Sequence, residues 1–157
     1  DLDYLIIDLP PGTGDIQLTL SQQVPVNGAV IVTTPQDIAL LDAQKALAMF
    51  QKVDIPVLGV IENMSTYVCE NCGHEAHIFG QHGGSKMAEE FSVPLLGQLP
   101  LNIDIRLNMD KGQPDKVWHN DHPLNKNALM MALRTAQNLA QLPIKFSLTN
   151  SLKLNKV

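Results

Sequence analysis

Apolar and polar residues alternate along this chain in short blocks that read as strand, helix, strand, helix, strand. Asp3 to Leu9 (DYLIIDL) is a nearly continuous apolar run that ends in Asp8 and a Pro-Pro-Gly turn. Apolar residues without in–out alternation suggest a strand buried on both faces of a parallel sheet. Asp15 then suits the N-cap of a helix reaching about Gln23, with Ile16, Leu18 and Leu20 among its apolar residues. Gly28 to Thr33 (GAVIVT) reads as a second buried strand. From Asp37 to Lys52, Ile38, Leu41, Ala48 and Met49 recur near the helical period in an Ala- and Leu-rich segment that Pro56 closes. Val57 to Glu62 (VLGVIE) is a third strand. This rhythm predicts βαβ units, a mainly parallel sheet and an α/β three-layer sandwich.

The regularity then stops. Asn63 to Gly84 carries both cysteines and three of the five histidines. Long irregular segments in compact domains are usually functional. A helix is expected to resume near Ser85 to Phe91. Pro94 to Leu99 reads as a short edge or final strand, Ile103 to Asp110 as a short helix, and Gly112 to Pro123 as loop. Asn125 to Leu142 has the pattern of a long helix with Leu129, Ala132, Leu133, Ala136 and Leu139 on one face, expected to be core. Residues 1–142 read as one domain portion with an insertion at 63–84. The tail, 143–157, alternates weakly through Ile144, Phe146 and Leu148.

Composition narrows the function classes. The 157 residues are 45% hydrophobic and 17% charged, with net charge −5, which fits a globular chain and argues against a nucleic-acid-binding surface. No apolar run approaches the roughly 18 residues that span a membrane. No secretory signal is visible, and the chain opens without Met inside an apparent strand, which suggests truncation. Its only two cysteines, Cys69 and Cys72, are too few and too close for a disulfide framework. They point to a reducing, cytoplasmic setting and to metal or redox chemistry.

Two sites stand out. The first is DLPPGTGD. Asp8 closes a buried parallel strand, at the sheet edge where open α/β sheets bind ligands. There a carboxylate can hold Mg²⁺, and Gly12 lets a backbone N–H approach a γ-phosphate. An aspartate ending a strand before a turn is also common without function. No G-x-x-x-x-G-K-[ST] phosphate loop occurs; Gly83-Gly84-Ser85-Lys86 has the wrong order and reads as a loop entering a helix. The second site is Cys69-Glu70-Asn71-Cys72, whose spacing lets two thiolates reach one metal centre. Three completions are open: two more cysteines from a second protomer, a Cys₂His₂ zinc site using His74 or His77, or a thiol–disulfide switch. A redox pair would open a helix, and this pair sits in a Gly- and His-rich loop.

The strings DYLIIDLPPGTGD and ENMSTYVCENCGHEAHIFGQHGG together resemble the Mrp (ApbC-type) carriers, relatives of the MinD- and ArsA-like P-loop ATPases. The resemblance covers about residues 1 to 110. It implies an incomplete P-loop NTPase-like fold whose phosphate loop lies before Asp1, so that these residues alone should bind ATP poorly. It also implies ATP and Mg²⁺ as cofactors, with Asp8 and Gly12 as switch residues. Asn63 at the end of the third strand, and Pro100 after the next, would contact the adenine, although a strand-end Asn in a turn is equally ordinary. Cys69 and Cys72 would ligate a labile 4Fe–4S cluster shared between the protomers of a homodimer and passed to apo-proteins. The competing reading is a zinc-stabilised, MinD-like regulatory ATPase acting by partner binding. Such a regulator would not need the C-x-x-C, and the tail is a poor membrane helix.

Overall fold

A computed structural model describes residues 2–10, 14–119 and 122–143. Gly12 and the tail beyond Pro143 lie outside the described residues.

Three parallel strands, β1 (Ala29–Thr33), β2 (Val57–Glu62) and β5 (Leu95–Gln98), form a sheet in the order β1-β2-β5. Each is joined to the next through a helix, as the predicted βαβ rhythm requires. α2 (Asp37–Lys52) and α3 (Gly83–Glu90) cover one face. There Ile31, Val60 and Met87 pack with Ala43, Leu47 and Phe50. α5 (Asn125–Ala140) lies across β2 and β5 on the other face, where Leu58, Leu96 and Met131 are buried. A bulge in the β1–β2 ladder separates Leu58 from Val60 so that they serve opposite faces. Gly59 sits in that bulge at φ +150; a Cβ there would come within 2.5 Å of the Pro94 carbonyl oxygen. Leu47 and Leu96, both at 0% exposure, each contribute about 1.5–3 kcal/mol by leaving water.

Most predicted elements are present: α1 (Asp15–Gln23), α2, β2 and α4 (Ile103–Asp110) have the expected bounds, and a short 3₁₀ turn (Pro114–Lys116) interrupts the segment read as loop. Some expectations fail. Asp15 is the first helical residue of α1, and Gly14 is its N-cap. α3 starts at Gly83, two residues earlier than expected.

The largest correction concerns Asp3–Leu9, which forms no strand. Leu2, Tyr4, Leu5 and Ile6 are 61–90% exposed. A strand buried on both faces needs neighbours that hydrogen-bond its edges and helices that cover it. Among the described residues nothing does this for the run; only Leu9 packs against the core. α5 is corrected for a related reason. Leu129 and Leu133, expected in the core, are 53% and 54% exposed, while Met131 is buried. The helix instead docks through polar groups on the same side as Met131. Arg134 Nη1 donates to the Leu96 carbonyl at 2.8 Å, and Asn138 Nδ2 donates to the Leu58 carbonyl at 2.9 Å. Val32 on β1 is likewise 61% exposed, so the sheet face beyond β2 is bare among the described residues.

Candidate functional site

All three strands point their carboxyl ends the same way, and the segments that leave them are sewn together. The Asn63 N–H donates to the Thr33 carbonyl at 2.7 Å, joining the exits of β2 and β1. The Leu99 N–H donates to the Glu62 carbonyl at 2.9 Å, joining β5 to β2. Ser65 then donates twice to the Leu99 carbonyl, from its N–H at 2.9 Å and from Oγ at 3.1 Å. The Leu101 N–H donates to the Thr66 carbonyl at 2.7 Å, and Tyr67 bridges to Leu101.

These contacts bring Asn63 and Pro100 onto one edge. Pro100 is half-buried between the two residues that bind Ser65 and Thr66. The Oδ1 of Asn63 accepts the Met64 N–H at 2.9 Å, which fixes the amide plane. Met64 takes a left-handed conformation (φ 55), turning the chain away from the sheet. Asp8 is different. It is exposed, and none of the hydrogen bonds of this edge reaches it.

Beyond Thr66 the segment read as irregular contains a two-stranded antiparallel ribbon. β3 (Tyr67–Val68) pairs with β4 (Glu75–Ala76), Tyr67 opposite Ala76 and Val68 opposite Glu75. The cysteines occupy its tip. The Cys69 N–H donates to the His74 carbonyl at 2.9 Å, and the Gly73 N–H to the Cys69 carbonyl at 2.8 Å. Gly73, at φ +70, makes the left-handed turn that returns the chain to β4. This winding aims the backbone N–H groups of Cys72 and Asn71 at the Cys69 sulfur. Together with the Cys72 thiol they hold the Cys69 thiol below its ordinary pKa, while slight burial and the Glu70 charge oppose them. Donors arranged around a sulfur favour its thiolate, the form that binds metal. Cys69 is partly exposed and Cys72 exposed, and both are free thiols.

The histidines do not complete the site. The Nδ1–H of His77 donates to the Ser65 carbonyl at 3.1 Å, tying the far side of the ribbon to its root. His82 turns the chain into α3 at φ 60. His74 contributes its backbone carbonyl to the hairpin. Among the described residues no three His, Cys, Asp or Glu side chains converge as metal ligands. The pair therefore offers two thiolates, half of a tetrahedral thiolate set. The Gly83-Gly84-Ser85-Lys86 string is the first turn of α3. Its Gly84 N–H is taken by the Glu62 carboxylate, so this helix start is already occupied by an anion.

Sequence reasoning missed the hydrogen bonds that Glu62, Ser65 and Gln98 make at this edge. Glu62 had a legible signal, an acid closing an apolar run, the same pattern that singled out Asp8.

The family model described as "ParA: NUBPL iron-transfer P-loop NTPase" matches residues 1–137. The "Iron-sulfur cluster carrier protein" of Escherichia coli (strain K12) is 54% identical over 139 residues, covering 88% of this chain and 38% of that protein. The chain thus spans about two fifths of that relative's length. A nucleotide-binding protein from Archaeoglobus fulgidus, solved in complex with ADP, superposes with a TM-score of 0.66 at 38% identity, covering 78% of this chain and 51% of that one. The cell division ATPase MinD of Pyrococcus furiosus has the same fold at 21% identity, with a TM-score of 0.53 over 71% of this chain and 43% of that one. No helix among the described residues is long and apolar enough to cross a membrane.

Proposed function

Because this chain belongs to the NUBPL-type iron-transfer family of P-loop NTPases, which includes the Mrp and ApbC carriers, we propose that it is the cluster-bearing part of an ATP-dependent iron–sulfur carrier. Cys69 and Cys72 of two protomers hold one labile 4Fe–4S cluster as cargo, and the homodimer releases it to apo-proteins. The observation that carries this reading is the ribbon tip, where backbone N–H groups surround a thiol and only two thiolates are on offer. A second copy would bring the other two. Because no three His, Cys, Asp or Glu side chains converge as ligands among the described residues, a single-chain Cys₂His₂ zinc site fits less well, so the regulatory-ATPase reading ranks second.

The residues present also fit a nucleotide at the carboxyl edge of the sheet. Asn63 and Pro100 would contact the base. Asp8 would hold Mg²⁺ and Gly12 would approach the γ-phosphate once the 3–9 run is seated as a strand. The phosphate loop itself would come from sequence outside these residues. Bound Mg²⁺ would neutralise charge on the phosphates, and the chain's own role is to orient base and ion. Thiolates that must stay reduced suit the cytoplasm.

The test is transfer. A loaded carrier is mixed anaerobically with an apo-protein whose activity requires a 4Fe–4S cluster, with and without MgATP. Activation that depends on Cys69 and Cys72 supports the carrier role. No activation, from a carrier that holds its cluster, would refute it.

A further inference from the structure

Glu62 is 1% exposed, the most deeply buried charged side chain among the described residues, and the functional reading above does not use it. Its two carboxylate oxygens serve different elements. Oε2 accepts the Gly84 N–H at 2.5 Å, and Oε1 accepts Nε2 of Gln98 at 2.6 Å. Gly84 lies in the first turn of α3, where helices leave unpaired N–H groups and partial positive charge. The approach is so close that a Cβ on residue 84 would lie 2.9 Å from the Glu62 Cβ and 3.0 Å from Oε2.

Burying a carboxylate is costly, and a Leu or Met would fill the same volume without that cost. An apolar side chain, however, does not choose between donors. Two directed hydrogen bonds to two elements fix a register. The elements joined here are the two roots of the cysteine ribbon. On the outgoing side, Ser65 and Thr66 are sewn to Leu99 and Leu101, just past Gln98. On the return side, the chain packs at Gly83 against Pro35 immediately before Gly84. Glu62 itself is the last residue before the ribbon leaves the sheet.

We propose that Glu62 is the positioning residue of the cysteine ribbon: it closes the base of the 63–82 segment and so fixes where Cys69 and Cys72 stand relative to the Asn63–Pro100 edge. The proposal rests on the reading that those cysteines hold the cluster. It assigns Glu62 no contact with cluster or nucleotide.

Two readouts test it in the full chain: amide hydrogen exchange across 64–82 without cluster, and the lifetime of the reconstituted cluster against a chelator. Glu62→Gln keeps both contacts, because Gln98 can turn its amide oxygen toward the new NH₂ group while the residue-62 oxygen accepts from Gly84. It should stay within about twofold of wild type in both readouts. Glu62→Leu strands the buried Gly84 N–H and releases the exposed Gln98 side chain, and should speed exchange in 64–82 and shorten the cluster lifetime about tenfold. Gln98→Met removes one partner and should give about threefold. Ile55→Val, a core change in the same domain, controls for general destabilisation and should leave both readouts near wild type. Wild-type exchange and lifetime in Glu62→Leu would overturn the proposal, as would an equal loss in Ile55→Val. If Glu62→Leu does not fold, Gln98→Met decides, and wild-type behaviour there overturns it. If Cys69→Ala and Cys72→Ala both keep their cluster, the carrier reading fails instead; the exchange measurement still decides the role of Glu62.

Discussion

The cysteine ribbon and the apolar run at residues 3–9 were the two most specific motifs in the sequence, and they have opposite fates in the structure. The ribbon closes on itself. Its hydrogen bonds run between Cys69 and His74, between Gly73 and Cys69, and down to Leu99 and Leu101, all between residues 65 and 101. The apolar run has the stronger strand pattern, yet Ile6 is 90% exposed. A hairpin carries its own partners. A central parallel strand borrows every partner from elsewhere, because both of its edges and both of its faces must be covered by other elements. Local motifs can therefore be judged within this chain, whereas the Asp8 site depends on what surrounds it.

The contrast can be broken most severely at the ribbon tip. Cys69→Ala or Cys72→Ala should cut reconstituted iron and sulfide by more than the ~10–100-fold that a lost supporting contact costs a metal site, with circular dichroism and nucleotide binding nearly unchanged. Full cluster content in either variant would remove the residue as a ligand. Next in size is Asp8→Asn in the complete protein. It should lower Mg²⁺-dependent ATP turnover by about a hundredfold and leave cluster assembly intact; unchanged turnover would take Asp8 out of the site.

A smaller effect addresses the run directly. In this chain Ile6→Lys should change stability by less than about 0.5 kcal/mol, because the side chain is already in water. In a longer chain that seats the run as a central strand, the same change should cost about 2–5 kcal/mol. Chemical denaturation of both lengths measures the difference, and equal costs would contradict the account. The smallest effect is at Cys69. Its folded pKa is depressed, so at pH values between that lowered value and the ordinary thiol range iodoacetamide should modify it faster in the folded chain than in urea. Above the ordinary range both states are ionised and the difference should vanish. Glu70→Gln should lower the folded value further, since the Glu70 charge opposes the thiolate.

What the sequence made legible follows the same division. The βαβ rhythm, the bounds of α2, β2 and α4, and the C-x-x-C on a loop were all readable, because each rests on local periodicity or spacing. The two-residue strands of the ribbon were not, since Tyr67–Val68 and Glu75–Ala76 are too short to show alternation. The face of α5 was misread because Leu129 and Leu133 have the helical period but no apolar surface to meet among the described residues, whereas Arg134 and Asn138 dock by reaching backbone carbonyls. Asn63 and Pro100 lie on one edge. Glu62 escaped notice because an acid after an apolar run looks the same whether it faces a metal ion or a buried helix start.

The central claim is that two copies of this ribbon share one cluster. It is tested most directly by anaerobic reconstitution with iron and sulfide, followed by metal and sulfide analysis and sizing of the product. The account predicts about four irons and four sulfides per dimer, with a broad brown absorption that is lost together with the dimer on oxidation. A monomer holding tight zinc and forming no iron–sulfur absorption would contradict it and leave the ribbon a structural metal site.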